Sequence, residues 1–166
     1  IAILSFSVQN NLNRKFEKYS KHFTRSGMTG HDVARQMLYD YGIPEVRITC
    51  VEGKLTDHYN PEDNTVNLSK EVYYGSSITS AAVAAHECGH AVQHAKGYAP
   101  VKMRSALVPV VQFSSKLVTW VLLAGILMIE VFPGLMLAGI ALFAMTTLFS
   151  FVTLPVEIDA SRRALA

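Results

Sequence analysis

The sequence predicts an α+β protein: a small domain with a short antiparallel sheet and an H-E-x-x-H helix, fused to a transmembrane helical hairpin. Three observations carry that prediction. Charge is concentrated early, with residues 11–105 holding 12 of the 15 Lys and Arg and 10 of the 13 Asp and Glu. From Ala106 to Val156, by contrast, only Lys116 and Glu130 are charged, and two apolar runs there have membrane-spanning length. Finally, "AAVAAHECGHAVQHAKG" at residues 81–97 sets two histidines and a glutamate inside an alanine-rich run. A formal net charge of +2, with no basic cluster interleaved with aromatics, excludes a nucleic-acid partner. Cys50 and Cys88 form no CxxC pair and read as reduced, packed thiols.

The elements follow in order. Residues 1–10, opening "IAILSFSV", read as the end of a truncated membrane span, too short to cross a bilayer alone. Residues 11–105 form the domain that bears the site. Its first stretch, to Arg25, is basic and polar, as expected just cytoplasmic of a membrane segment. "TGHDVARQMLYDYG" predicts a short helix: Thr29 caps it, Asp32 completes a T-x-x-D pattern, and Gly42 ends it. Val46, Ile48 and Cys50 alternate with Arg47 and Thr49, which predicts a half-buried strand. "LTDHY" and "TVNLS" flank the turn residues "NPEDN", so 55–69 reads as a β-hairpin. A helix follows from about 78 to 96, capped by Ser76 or Ser77, stopped by Gly97 and kept from resuming by Pro100.

Residues 106–156 read as the hairpin. "LVPVVQFSSKLVTWVLLAGILMI" is 23 residues and "GLMLAGIALFAMTTLFSFVTL" is 21, against the ~20 needed to cross a ~30 Å hydrocarbon layer. "EVFPG" between them suits a tip. The 26 uncharged residues from Val131 to Val156 exceed what buried helices of soluble proteins usually contain. Lys116 either snorkels toward the headgroups or faces protein. Residues 157–166 begin a further helix.

The chemistry lies in His86, Glu87 and His90. Four residues on a helix give a rise of ~6 Å and a turn of ~400°, so both imidazoles leave nearly the same side. Each can reach one metal at ~2.0–2.1 Å. Glu87 sits beside the first, where a carboxylate can take a proton from a water activated by that metal. Ala85, Gly89 and Ala91 are small enough to let other backbone come close. His94 is ~12 Å along the axis from His86, too far for the same ion, and Cys88 points away toward packing. Gln93 and Lys96 stand where a third ligand of an H-E-x-x-H-x-x-G-x-x-H site would require Gly and His. A third ligand must come from elsewhere, most economically a carboxylate. Downstream there are Glu130, Glu157 and Asp159. Two crossings put Glu130 at the far tip and return Glu157 and Asp159 to the side of His86.

Three blocks, "LTDHYNPEDNTVNLS", "AAVAAHECGHAVQHAKGYAPVKMRSALVP" and "VTLPVEIDASRRAL", resemble the YugP-like family of bacterial membrane zinc metallopeptidases, over nearly the whole chain. More distantly, the order of motif, two spans and late Glu is similar to HtpX-type and CAAX-prenyl-protease-type gluzincins, whose late motif reads E-x-x-A-D with its Glu on zinc. Glu157 and Ala160 match that motif, and Ser161 stands where its Asp would be. The resemblance implies a zincin-like fold, a Zn2+ cofactor and Glu157 as third ligand. It leaves Asp159 as the nearest candidate to orient the histidines. His58 and Tyr59 could stabilise an oxyanion or cap the turn. Arg162 and Arg163 could face the cleft or anchor at the membrane surface.

Lys102, Arg104, Arg162 and Arg163 flank the spans on the site side, and the tip has no Lys or Arg. The positive-inside rule then sets the site toward the cytoplasm, in a multi-pass protein of a bacterial inner membrane. The expected function is a membrane-anchored, zinc-dependent endopeptidase acting on protein or peptide substrates at the bilayer surface, with Glu87 as general base. The hairpin before the site helix is expected to hold substrate backbone by β-addition. The competing reading is a membrane scaffold or regulatory protein whose zinc is structural, which would have no use for Glu87.

Overall fold

A computed structural model describes residues 2–165, with side chains from Ser5 onward. Among these residues nine elements run α1 (Ala2–Ser20), α2 (Gly30–Asp40), β1 (Arg47–Val51), β2 (His58–Asn60), β3 (Thr65–Ser69), α3 (Lys70–Tyr73), α4 (Ile78–Ala95), α5 (Ala99–Leu127) and α6 (Pro133–Ala164). They divide into two compact units, Ile1–Lys96 with Asp159–Ala166, and Gly97–Ile158.

In the first unit the helix ends follow the expected chemistry. Thr29 accepts a hydrogen bond from the Asp32 N–H at 3.2 Å, and Asp32 accepts one from the Thr29 N–H at 3.0 Å, closing a capping box at α2. Gly42 follows at φ +72°, a left-handed conformation that glycine adopts without steric penalty. Ser77 caps α4 by accepting from the Ser80 N–H at 3.1 Å. Gly97, at φ +63°, turns the chain out of it.

The sheet departs from expectation. It is mixed rather than antiparallel, with strand order β1-β3-β2. β2 and β3 form the expected antiparallel hairpin, Tyr59 opposite Val66. β1 lies on the other side of β3 and runs parallel to it, Ile48 beside Val66 and Cys50 beside Leu68. The physical reason is that alternation fixes which side chains share a face, not which strand sits alongside. β3 is therefore central, with Val66 and Leu68 fully buried. It packs into one core with Ala34 and Leu38 of α2 and Ala84, Cys88, Ala91 and Val92 of α4. β2 is an edge strand.

The last turns of α6 belong to this same unit. Gly89 of α4 comes so close to α6 that a Cβ there would lie 2.5 Å from the Ala160 carbonyl oxygen. The Tyr41 hydroxyl donates to the Arg163 carbonyl at 3.4 Å. α6 itself continues through Pro155, whereas the sequence suggested a new helix at 157. Proline lacks one N–H, but the flanking bonds hold the helix.

The second unit is a pair of long helices joined by a short turn over residues 128–132. α5 starts at Ala99, with Pro100 in its first turn, where a missing N–H costs nothing. Gly125 lets the backbone of Met136 approach, and Gly139 makes room for Leu122, the small-residue packing that lets two apolar helices lie close. Both helices are long and apolar enough to cross a membrane. Their outer faces expose Trp120, Leu137 and Phe151, each about 70% accessible. Lys116 is exposed too.

Candidate metal centre

α4 is held on one side by α2 and on another by the end of α6. Cys88, fully buried, directs its thiol at the Ala34 carbonyl, 3.7 Å away. Burial, with Glu87 beside it, pushes that thiol up to about 12, which makes it packing rather than a nucleophile. On the opposite side, the His86 and His90 rings meet edge to face with centroids 4.8 Å apart. Glu87 is half-buried. Burial pushes its carboxyl up from the ordinary carboxylate range, while the two histidines and the Tyr59 backbone N–H pull it down.

Each histidine has a partner for its inner nitrogen. The Ser161 hydroxyl lies 3.3 Å from His86 Nδ1, so the residue that replaces the Asp of the E-x-x-A-D pattern still reaches a histidine. His90 Nδ1 lies 3.1 Å from Gln93 Oε1. Gln93 Nε2 in turn donates to Asp159 Oδ2 at 2.9 Å, and Arg163 Nε donates to the same oxygen at 2.7 Å. Asp159 is thus paired with Arg163 and touches Gln93.

Glu157 lies one helical turn before Ser161 on α6, hence on the same face. One ligand atom from each of His86, His90 and Glu157 falls within 4.8 Å of the others. Two imidazoles and one carboxylate, all half-buried, are a donor set suited to Zn2+. The three residues lie close enough to bind a metal.

The weaker candidates are placed as follows. His58 is exposed, its Nδ1 2.7 Å from the Thr56 carbonyl. The Tyr59 hydroxyl donates to Asn64 at 2.9 Å and lies 3.3 Å from His94 Nδ1. Arg162 is exposed, and Arg163 is committed to Asp159. Sequence reasoning gave Arg104 no role beyond positive charge beside the spans, yet its guanidinium lies 3.7 Å from Glu157 Oε1. Nor did it give one to Gln93, although the i, i+3 spacing from His90 was a signal for it.

Comparison with known proteins gives the class, that of zinc peptidases. Residues 1–166 match the family described as "Putative neutral zinc metallopeptidase", and the chain belongs to that family. Zn2+ is its cofactor, and a protease of this kind acts on proteins or peptides. The chain is also 44% identical over 161 residues to the "Putative membrane protease YugP" of Bacillus subtilis (strain 168), an alignment covering 97% of this chain and 71% of that protein. No solved structure matches.

Proposed function

We propose that this chain is a membrane-anchored zinc endopeptidase in which His86, His90 and Glu157 hold the metal and Glu87 is the general base. The observation that carries the reading is the convergence of those three ligand atoms within 4.8 Å of one another. Held by His86, His90 and Glu157, zinc would supply a Lewis acid for the scissile carbonyl and would lower the pKa of a water. Glu87 accepts that water's proton as its oxygen bonds to the carbonyl carbon. It then returns a proton to the amide nitrogen as the C–N bond breaks.

Substrate backbone is held at the free edge of β2, the outer strand of the sheet. The Tyr59 N–H on that strand bears on the Glu87 carboxyl, so a segment added there lies beside the base. α5 and α6 are the membrane anchor. Their exposed apolar faces are what a bilayer would cover, and the relative in Bacillus subtilis is named a membrane protease. Lys102, Arg104, Arg162 and Arg163 at the open ends of the two helices, with no Lys or Arg in the turn between them, set the site toward the cytoplasm.

The test is Glu87→Gln in the full chain, in detergent or lipid, with an unfolded protein as substrate. The variant should bind about one zinc per chain like the parent and lose cleavage by a factor of about 10²–10⁴. Cleavage at the parental rate would remove Glu87 from the mechanism. A zinc-loaded parent that cleaves nothing would favour the structural-zinc scaffold instead.

A further inference from the structure

Gln93 is fully buried on α4, one turn beyond His90, and its amide touches a partner at each end. Burying a carboxamide is tolerated when its oxygen and its nitrogen are both bonded. Here the partners fix which end is which. Asp159, ion-paired with Arg163 at 2.7 Å, is an acceptor only, so the Gln93 atom 2.9 Å from it must be the NH2 group. The amide oxygen is then the atom 3.1 Å from His90 Nδ1. An oxygen there can only accept, so His90 must carry its proton on Nδ1. That leaves the Nε2 lone pair available to a metal.

We propose that Gln93 is a positioning residue for the metal site, relaying the polarity of the Asp159–Arg163 ion pair to His90 and fixing both its tautomer and its ring orientation. This rests on the reading of His90 as a zinc ligand. Asp159 acts on the histidine through the glutamine rather than directly. With Ser161 beside His86, the orienting work that the E-x-x-A-D pattern gives to an acid is divided between two neutral side chains.

The relay makes a prediction specific to donor polarity. Gln93→Leu removes both bonds at nearly constant volume. Gln93→Glu keeps the acceptor for His90 but sets two carboxylates face to face. The double change Gln93→Glu with Asp159→Asn removes the facing carboxylates with isosteric side chains and lets the amide introduced on α6 donate where the Gln93 amide did, at the expense of the Arg163 bond that the same Asp159 oxygen accepts. Zinc affinity, measured by competition with a chromophoric chelator, should fall about 10–100-fold in Gln93→Leu. It should fall in Gln93→Glu and recover part of that loss in the double variant, a rescue that general packing would not produce.

The parent needs no substitution for a second readout. Ring 15N shifts of His90 in the metal-free full chain, taken above its titration range, should report a proton on Nδ1. A proton on Nε2, parental zinc affinity in Gln93→Leu, or a double variant no better than Gln93→Glu would each overturn the relay. His90→Ala separates the two claims. Undiminished zinc binding there would overturn the ligand reading itself, whereas loss there with full binding in Gln93→Leu would overturn the relay alone.

Discussion

At Gly89 two effects of a single methyl group oppose each other. Inside a helix, alanine is better than glycine by about 1 kcal/mol, so Gly89→Ala on an isolated α4 would stabilise. In the folded chain the new Cβ would stand 2.5 Å from the Ala160 carbonyl oxygen and 3.1 Å from its Cα. These are backbone atoms and cannot rotate aside. An ordinary C···O contact is about 3.3–3.6 Å, so the last turns of α6 must retreat from α4 by roughly 1 Å. That retreat takes the Gln93–Asp159 bond, 2.9 Å, past the ~3.2 Å limit of good hydrogen bonds, and lengthens the Ser161–His86 contact beyond its 3.3 Å. Overpacking of this sort costs about 1–3 kcal/mol. Set against the propensity gain, net stability falls by about 0–2 kcal/mol. Zinc affinity should respond far more, by about 10-fold or greater, because contacts that orient ligands are lost. Chelator competition and thermal unfolding on the same purified chain separate the two quantities. Parental zinc affinity in Gly89→Ala would refute the claim that close approach of these backbones builds the site.

Two further outcomes can be checked. Zinc at about 100 times its dissociation constant should stabilise the chain by about 2.7 kcal/mol, a rise of roughly 5–10 °C in Tm at this size. EDTA should abolish the rise in the parent, and Glu157→Gln should show little of it. An equal rise in that variant would take Glu157 off the metal. A thiol reagent at a pH of about 8, near the ordinary thiol range, should label Cys50, which is exposed, and spare Cys88, which is buried with its thiol pushed up to about 12. Two labels per chain before unfolding would show that the α2–α4 core is not packed as described.

Much of this was legible in the sequence because it depends on short-range spacing. His86 and His90 face one way by helical period alone, and Thr29 with Asp32 announces its cap three residues ahead. The small residue at Gly89 signalled that other backbone would come near. What stayed hidden depends on partners distant in sequence. The parallel pairing of β1 with β3 leaves no mark on the alternation of Val46, Ile48 and Cys50. The continuation of α6 through Pro155 ran against a residue that usually ends helices. From the sequence Asp159 is the nearest candidate to orient the histidines, and in the structure it bonds Gln93, a residue 66 positions earlier that contacts His90.

A metal site needs its ligands held within about 0.5 Å, and a helix offers that more readily than a loop. The bond forfeited at Pro155 is the one to the carbonyl of residue 151, N-terminal to Glu157. The turn joining Glu157 to Ser161 is therefore intact, and it is seated on α4 at Gly89 immediately beside Ala160. On the proposed reading, one helical turn then carries both a ligand and the hydroxyl that orients its neighbour. Replacing acid by serine at position 161 removes charge from the His86 side, while Gln93 brings the charge of Asp159 to bear on His90. The two imidazoles are thus held by different chemistry, and substitutions at Ser161 and Gln93 should act independently on zinc affinity. Strong coupling between them in a double-mutant cycle would mean instead that the two contacts report a single motion of α6.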